Sequence, residues 1–237
     1  MPVSATAAIT NSGPPCLQPG LRLGRATDRA AISRWRCHTH VSLWSKTGKK
    51  NLFDDAKGEL GLSKLAYNFM GGVLQSADAL AAIFNPTVNS YKRINAAVTV
   101  FGATWSLNTI SYTGNNRTHM IRIPEPGRFE LRLADGAANP YLLQAGIRMA
   151  GLDGIKNTRD PGKRLDINMY EEGARVQRIR MLPLNMLDVI RLFDKSKIVH
   201  DGLGGALVKA YVNLKLKEWQ SCASIISQWE REHTLDI

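Results

Sequence analysis

Polar and apolar residues alternate along residues 37–44, with His38, His40 and Ser42 on one side and Thr39, Val41 and Leu43 on the other. A period of two marks a strand with one buried face. The period lengthens over 62–83, where Leu62, Leu65, Phe69, Val73, Ala77, Leu80 and Ile83 recur at three- and four-residue spacing. That spacing predicts one amphipathic helix, ended by Pro86. Gly71-Gly72 inside it would each cost about 1 kcal/mol against alanine, so close packing is expected to offset them. Residues 99–134 read as strand-rich, with a turn at Gly114-Asn115-Asn116. Within them Phe129, Leu131 and Leu133 alternate with Arg128, Glu130 and Arg132. Asn139 is placed to cap a helix whose first residue is Pro140 and which runs to the 151–154 region. Asn185 opens a second helical stretch ending near His200, and a long last helix runs from Leu203 to about Glu232. Its apolar side carries Leu207, Tyr211, Leu214, Cys222, Ile225 and Trp229. Strands followed by helices, without an internal repeat, predict an α+β domain.

Residues 1–36 break this patterning. They are rich in Ala, Gly, Pro, Ser, Thr and Arg and show no sustained apolar period, so we read them as disordered or loosely packed. An Arg-rich, acid-poor leader could be a transit peptide, but Pro14, Pro15 and Pro19 oppose the amphipathic helix that needs. A misassigned start or shifted frame is the reading we favour. Five arginines (Arg22, Arg25, Arg29, Arg34, Arg36) against Asp28 put +4 of the chain's net charge of +11 in this segment. The other cations are scattered and no DNA- or RNA-binding motif appears, so a nucleic-acid partner is not expected. A protein that gathers polyanionic substrates carries the same excess. No apolar run approaches the ~20 residues of a membrane span, since 62–84 includes Lys64, Asn68, Gln75 and Asp78. Cys16, Cys37 and Cys222 are widely spaced with no CxxC pair. That argues against a disulfide framework or zinc ribbon and for the cytoplasm.

Two polar strand faces hold the candidate chemistry. His38, His40 and Ser42 project together, and a His-x-His spacing on a strand can surround one ion or phosphate. By itself that spacing is more often plain polar surface. On the second face Glu130 lies between Arg128 and Arg132. On an exposed edge this would be a salt-bridge ladder of little worth. On a buried face it would be costly unless a ligand or metal completes it. Arg93, Arg117 and Arg122 bring further guanidiniums in nearby segments, and their planar forks suit carboxylate and phosphate.

Several motifs in one order carry a more specific signal. Asn89-Ser90-Tyr91-Lys92-Arg93 is followed by Asn116-Arg117, Ile121-Arg122-Ile123-Pro124, Glu130-Leu131-Arg132, Asn139-Pro140-Tyr141-Leu142 and Ala150-Gly151-Leu152-Asp153-Gly154-Ile155. From about Cys37 to the C-terminus the chain resembles the C-terminal catalytic domain of glutamine synthetase, in its bacterial type III form. The resemblance implies a domain at 37–237 with an antiparallel sheet and helices packed on one side, 1–36 lying outside the family and an N-terminal β-grasp domain missing. It implies ATP-dependent ligation of ammonia to the γ-carboxylate of L-glutamate through γ-glutamyl phosphate, with Mg²⁺ or Mn²⁺, in a homo-oligomeric ring. γ-Glutamylmethylamide synthetase, which uses methylamine, has nearly the same motifs, and an inert remnant is the rival outside enzymology.

The resemblance also implies residue roles. His38 and Glu130 are the metal ligands. His40, Ser42, Arg117 and Arg122 serve ATP. Arg93, Arg117 and Arg132 serve glutamate, and Arg117, touching both substrates, is the catalytic arginine. The sequence departs from the family in two places: Arg34-Trp35-Arg36 stands where a glycine-rich stretch is expected, and no acid lies between Arg93 and Asn116. With only His38 and Glu130 retained as metal ligands, the chain as written is expected to make little glutamine.

Overall fold

In the computed structural model, which describes residues 6–11, 37–95, 108–176 and 178–234, five strands form one sheet in the order β1-β2-β5-β4-β3. They are β1 (Thr6–Asn11), β2 (Thr39–Trp44), β3 (Tyr112–Thr113), β4 (Ile121–Glu125) and β5 (Arg128–Leu131). The pairs β1–β2, β2–β5 and β4–β5 are antiparallel, as expected, but β3 runs parallel to β4, so the sheet is mixed. The short connection 114–120 manages this because it folds back on itself. Asn116 N–H donates to Gly114 O at 2.8 Å and Ile121 N–H to Ser111 O at 3.1 Å. The expected turn at 114–116 is therefore present. Gly127, at φ 76°, closes the β4–β5 hairpin, and Asn51 Nδ2 donates to its carbonyl at 2.9 Å. Of the segment read as disordered, residues 6–11 form β1, and the rest lies outside the described residues, as do Arg34-Trp35-Arg36 and 96–107. Thr6, Ile9 and Thr10 are the β-branched residues that favour a strand there.

Among the described residues there are eight α-helices, five of them opened by a side-chain cap. Helix α1 (Lys64–Gln75) starts at Ser63, whose Oγ accepts from Ala66 N–H. Helices α2 (Ala77–Phe84) and α3 (Val88–Ile94) come next, α3 opened by a Thr87/Ser90 capping box. Asn139 caps α4 (Pro140–Lys156) and Asn185 caps α5 (Met186–Lys195). The chain ends with α6 (Lys197–Leu203), α7 (Gly205–Ala223) and α8 (Gln228–His233). The helix expected at 62–83 is two helices that meet at Ser76. Arg180 donates to Leu74 O at 3.4 Å and Gln75 O at 3.2 Å, so carbonyls that would continue the helix find partners from elsewhere. The stretch from Asn185 likewise breaks at Ser196, and the last helix breaks before Ser227, which starts α8 with its own capping box.

The core lies between the apolar sheet face and the helices. Phe129 of β5 meets Phe69 of α1 and Phe53, with ring centroids 6.1 and 5.9 Å apart. Helix α1 packs on α4 because Gly71-Gly72 lets the backbones touch. A Cβ on Gly72 would stand 2.0 Å from Ala150 O and 2.7 Å from Gly154. Helix α7 docks by Val208, Val212 and Tyr211, whose hydroxyl donates to Ala82 O at 2.7 Å. The expected apolar side is thus corrected: of its members Tyr211 packs inward, while Leu207, Leu214, Ile225 and Trp229 are exposed. The buried stripe is set one residue along, at Val208 and Val212. Among the described residues no helix is long and apolar enough to cross a membrane.

Candidate active site

Strand β2 alternates buried Thr39, Val41 and Leu43 with partly exposed His40, Ser42 and Trp44, so its polar side faces away from the core. In register, His40 lies opposite Glu130 and Glu130 lies opposite Arg122. Three strands therefore present one row of polar side chains on the face opposite Phe129 and Leu131.

Glu130 is the hub of this row, only 2% exposed. Its Oε1 is 3.0 Å from both His38 Nδ1 and Arg132 Nη1, and its Oε2 accepts from Arg122 Nη1 at 2.8 Å. Burial by itself would raise its pKa. The hydrogen bond from His38 and the charges of Arg132, His38 and Arg122 outweigh it and bring the carboxyl down to about 2. Glu130 is therefore a carboxylate throughout the neutral range, and its Oε2, which accepts from Arg122 alone, keeps a further lone pair.

His38 Nδ1 stands 3.0 Å from Glu130 and 3.5 Å from Arg132 Nη1, so its N–H donates to the closer carboxylate. Nε2 then carries the lone pair. That atom is buried and has no hydrogen-bond partner among the described residues. An imidazole that donates one N–H to a carboxylate and holds its other nitrogen bare is arranged as a metal ligand. His38 and Glu130 thus fit a divalent ion, although no group of three or more His, Cys, Asp or Glu that could hold one occurs among the described residues.

His40 accepts at Nδ1 from Arg128 Nη1. Burial first, then the Arg128 charge, lowers its pKa, so it stays neutral and presents Nε2–H. Arg128, singled out from sequence only for its alternation with Glu130, also binds Glu125 at 2.6 Å; its signal was its place in the strand period. Ser42, farther along the same face, accepts from Trp44 Nε1 at 3.0 Å.

Arg117 is exposed on the loop 114–120, and no direct contact joins it to Glu130. The loop is anchored at several points. Asn116 Oδ1 accepts from Thr118 N–H at 2.9 Å, Asn116 Nδ2 donates to Ile167 O at 2.9 Å, and Met169 N–H donates to Thr118 Oγ1 at 3.0 Å. Fully buried His119 lies 3.0 Å from both Ser111 Oγ, at Nδ1, and Ile167 O, at Nε2. The carbonyl can only accept, so Nε2 donates and Nδ1 accepts. Burial pushes the His119 pKa down against the Ile167 bond. Asn115 Oδ1 ties the same loop to Arg122 Nε at 2.8 Å. None of these anchors was foreseen, because each partner lies in the 166–169 segment or across a turn.

Arg93 is brought near the end of β5 but points inward, 2% exposed. It donates to Asn85 Oδ1 at 2.6 Å and Leu133 O at 3.5 Å, and its Nε lies 3.5 Å from Asp135. His38, Arg122, Glu130 and Arg132 thus form one connected cluster with His40 beside it. Ser42 lies farther along β2, Arg93 is turned into the core, and Arg117 lies on the loop whose Asn115 holds Arg122.

Comparison with known proteins agrees with this sheet and its motifs. Residues 33–234 match the family described as glutamine synthetase, catalytic domain. The chain is 55% identical over 201 residues to a glutamine synthetase of Rhizobium leguminosarum bv. phaseoli, covering 85% of this chain and 46% of that one. It is 42% identical over 205 residues to a glutamate–methylamine ligase of Methyloversatilis universalis, with 84% and 46% covered. Two solved GmaS structures superpose on it. The one without ligand has 51% identity and a TM-score of 0.78, covering 86% of this chain and 45% of that one. The ADP complex has 55% identity and a TM-score of 0.80, covering 86% and 46%. The chain therefore spans a little under half the length of these relatives. A match over most of its residues means that the chain belongs to the glutamine synthetase family.

Proposed function

We propose that the chain carries the nucleotide- and glutamate-handling face of an ATP-dependent ligase that joins ammonia to the γ-carboxylate of L-glutamate. The observation that supports it is the buried Glu130 carboxylate tied to His38, Arg122 and Arg132 on one strand face. In this reading His38 Nε2 and Glu130 hold Mg²⁺ or Mn²⁺, which when bound would neutralise phosphate charge. Arg122, Arg117, His40 and Ser42 orient ATP. Arg132, Arg117 and Arg93 hold glutamate. For Arg93 this requires trading Asp135 for the substrate carboxylate. The γ-carboxylate attacks the terminal phosphorus of ATP and ADP leaves. Ammonia then displaces phosphate from γ-glutamyl phosphate. The chain's share is positioning and charge stabilisation, with Arg117 contacting the transferred group.

Methylamine in place of ammonia is the second reading, favoured by the similarity to GmaS and to a glutamate–methylamine ligase. Titration of ADP into the purified chain tests the nucleotide face. Saturable binding that weakens at least tenfold in Arg122→Ala is expected, and binding indifferent to this change overturns the assignment. Residual product formation with ammonium against methylamine decides the amine.

A further inference from the structure

On the helical side of the sheet, away from the Glu130 face and sharing no residue with it, a cavity of about 740 Å³ opens between the C-terminal end of α1 and the segments around 157–165 and 176–180. We propose that this cavity is a second binding site, for a small organic anion carrying two or more negative charges.

Four cations line it, Arg159, Lys163, Arg178 and Arg180, against one acid, Asp160. Two of the cations are fixed from behind. Arg180 is held by Leu74 O, Gln75 O and Asp78. Arg159 spends Nε on Asp153 and Nη1 on Gln75 Oε1, which leaves its Nη2 hydrogens uncommitted. Lys163 and Arg178 are exposed and take part in no ion pair among the described residues. Preset guanidiniums beside unengaged cations form an anion-binding arrangement. Leu74, Ile110, Val176 and Ile179 add apolar wall, and the volume falls in the range of small-molecule sites.

The backbone supplies an independent observation. Three non-glycine residues among those described have a positive φ, and two of them belong to this rim. Arg178 sits at φ 60° in the cavity wall, and Thr158 at φ 50° lies between the lining residues Asn157 and Arg159. Side chains other than glycine are strained there, and such strain persists where it aims a side chain. Arg178 and Lys163 both line the cavity. Carboxylates and phosphates share the chemistry that this lining recognises, and the probes separate them.

The test is calorimetric titration of the full chain with pyrophosphate, AMP and succinate. At least one probe should bind saturably to Arg122→Ala, in which the proposed nucleotide face is weakened, and adding K163S/R178S to that variant should weaken this binding at least tenfold. Arg178→Gly in the same background separates site from scaffold. It should raise the melting temperature by relieving the strained φ, yet weaken the anion. No saturable binding of any probe to Arg122→Ala, or equal affinity once K163S/R178S is added, would overturn the proposal. So would full affinity in Arg178→Gly.

Discussion

Glu130 has two arginines and His38 against it and almost no solvent. Replacing it with alanine leaves two arginines facing each other without a counter-charge, so Glu130→Ala should cost about 3–5 kcal/mol of folding stability. Urea denaturation measures that loss. The same carboxylate makes stability depend on pH. Its folded pKa of about 2 lies below the ordinary 4.5. Its contribution is therefore fully present above pH 4.5 and is lost as pH falls towards 2. The wild-type urea midpoint should drop across that window, and that of Glu130→Ala should drop less. The row His38, His40, Glu130 and Arg132 was legible because a strand repeats every two residues and needs no tertiary information. Arg93 was not legible in the same way. Its motif places it, but only Asn85 and Asp135, both outside that motif, turn its guanidinium inward.

Helix α1 depends on close backbone contact with α4. Gly72→Ala drives a methyl into Ala150 O and Gly154, and neither backbone atom can swing aside as a flexible side chain would. The substitution should destabilise the fold by about 1–3 kcal/mol or more, readable as a lowered thermal midpoint. The glycine pair therefore acts as the sequence suggested. Helix lengths were less legible. Periodicity continues through Ser76 unbroken, and the carbonyl partners that divide α1 from α2 come from Arg180, far along the chain. The face of α7 was misread for a related reason. Both Leu207/Leu214 and Val208/Val212 satisfy a helical period, and only the docking of Tyr211 on Ala82 selects between them. Leu214→Ser should change stability by no more than about 0.5 kcal/mol, while Val208→Ala should cost about 2 kcal/mol. Equal effects of the two changes in chemical denaturation would reverse that face assignment.

Across the whole molecule, the binding groups outnumber the metal ligands. Arg122 and Arg132 flank Glu130, but no group of three or more His, Cys, Asp or Glu that could hold a metal occurs among the described residues, and the proposed function has His38 and Glu130 alone for that ion. Phosphoryl transfer without full metal neutralisation loses several kcal/mol, and each 1.36 kcal/mol is tenfold in rate. A polypeptide of these 237 residues should therefore release phosphate from ATP, glutamate and ammonium at least about a hundredfold more slowly than an intact relative. A malachite-green assay with Mg²⁺ or Mn²⁺ would show it. Rates equal to the relative's would mean that ligands reach the metal from elsewhere.

Strand β1 runs along the outside of β2 through six successive pairs, from Thr6↔Trp44 to Asn11↔Thr39. It shields the open backbone of the strand that continues from His38 and bears His40. A variant starting at Cys37 would present that row of amides and carbonyls as a template for any extended chain, a second molecule included. Aggregation on removal of residues 1–36 would thus arise by strand capture at β2, with the domain still folded. Light scattering that grows with concentration while circular dichroism keeps its native shape would identify that route, and the peptide Thr6–Asn11 added in trans should suppress it.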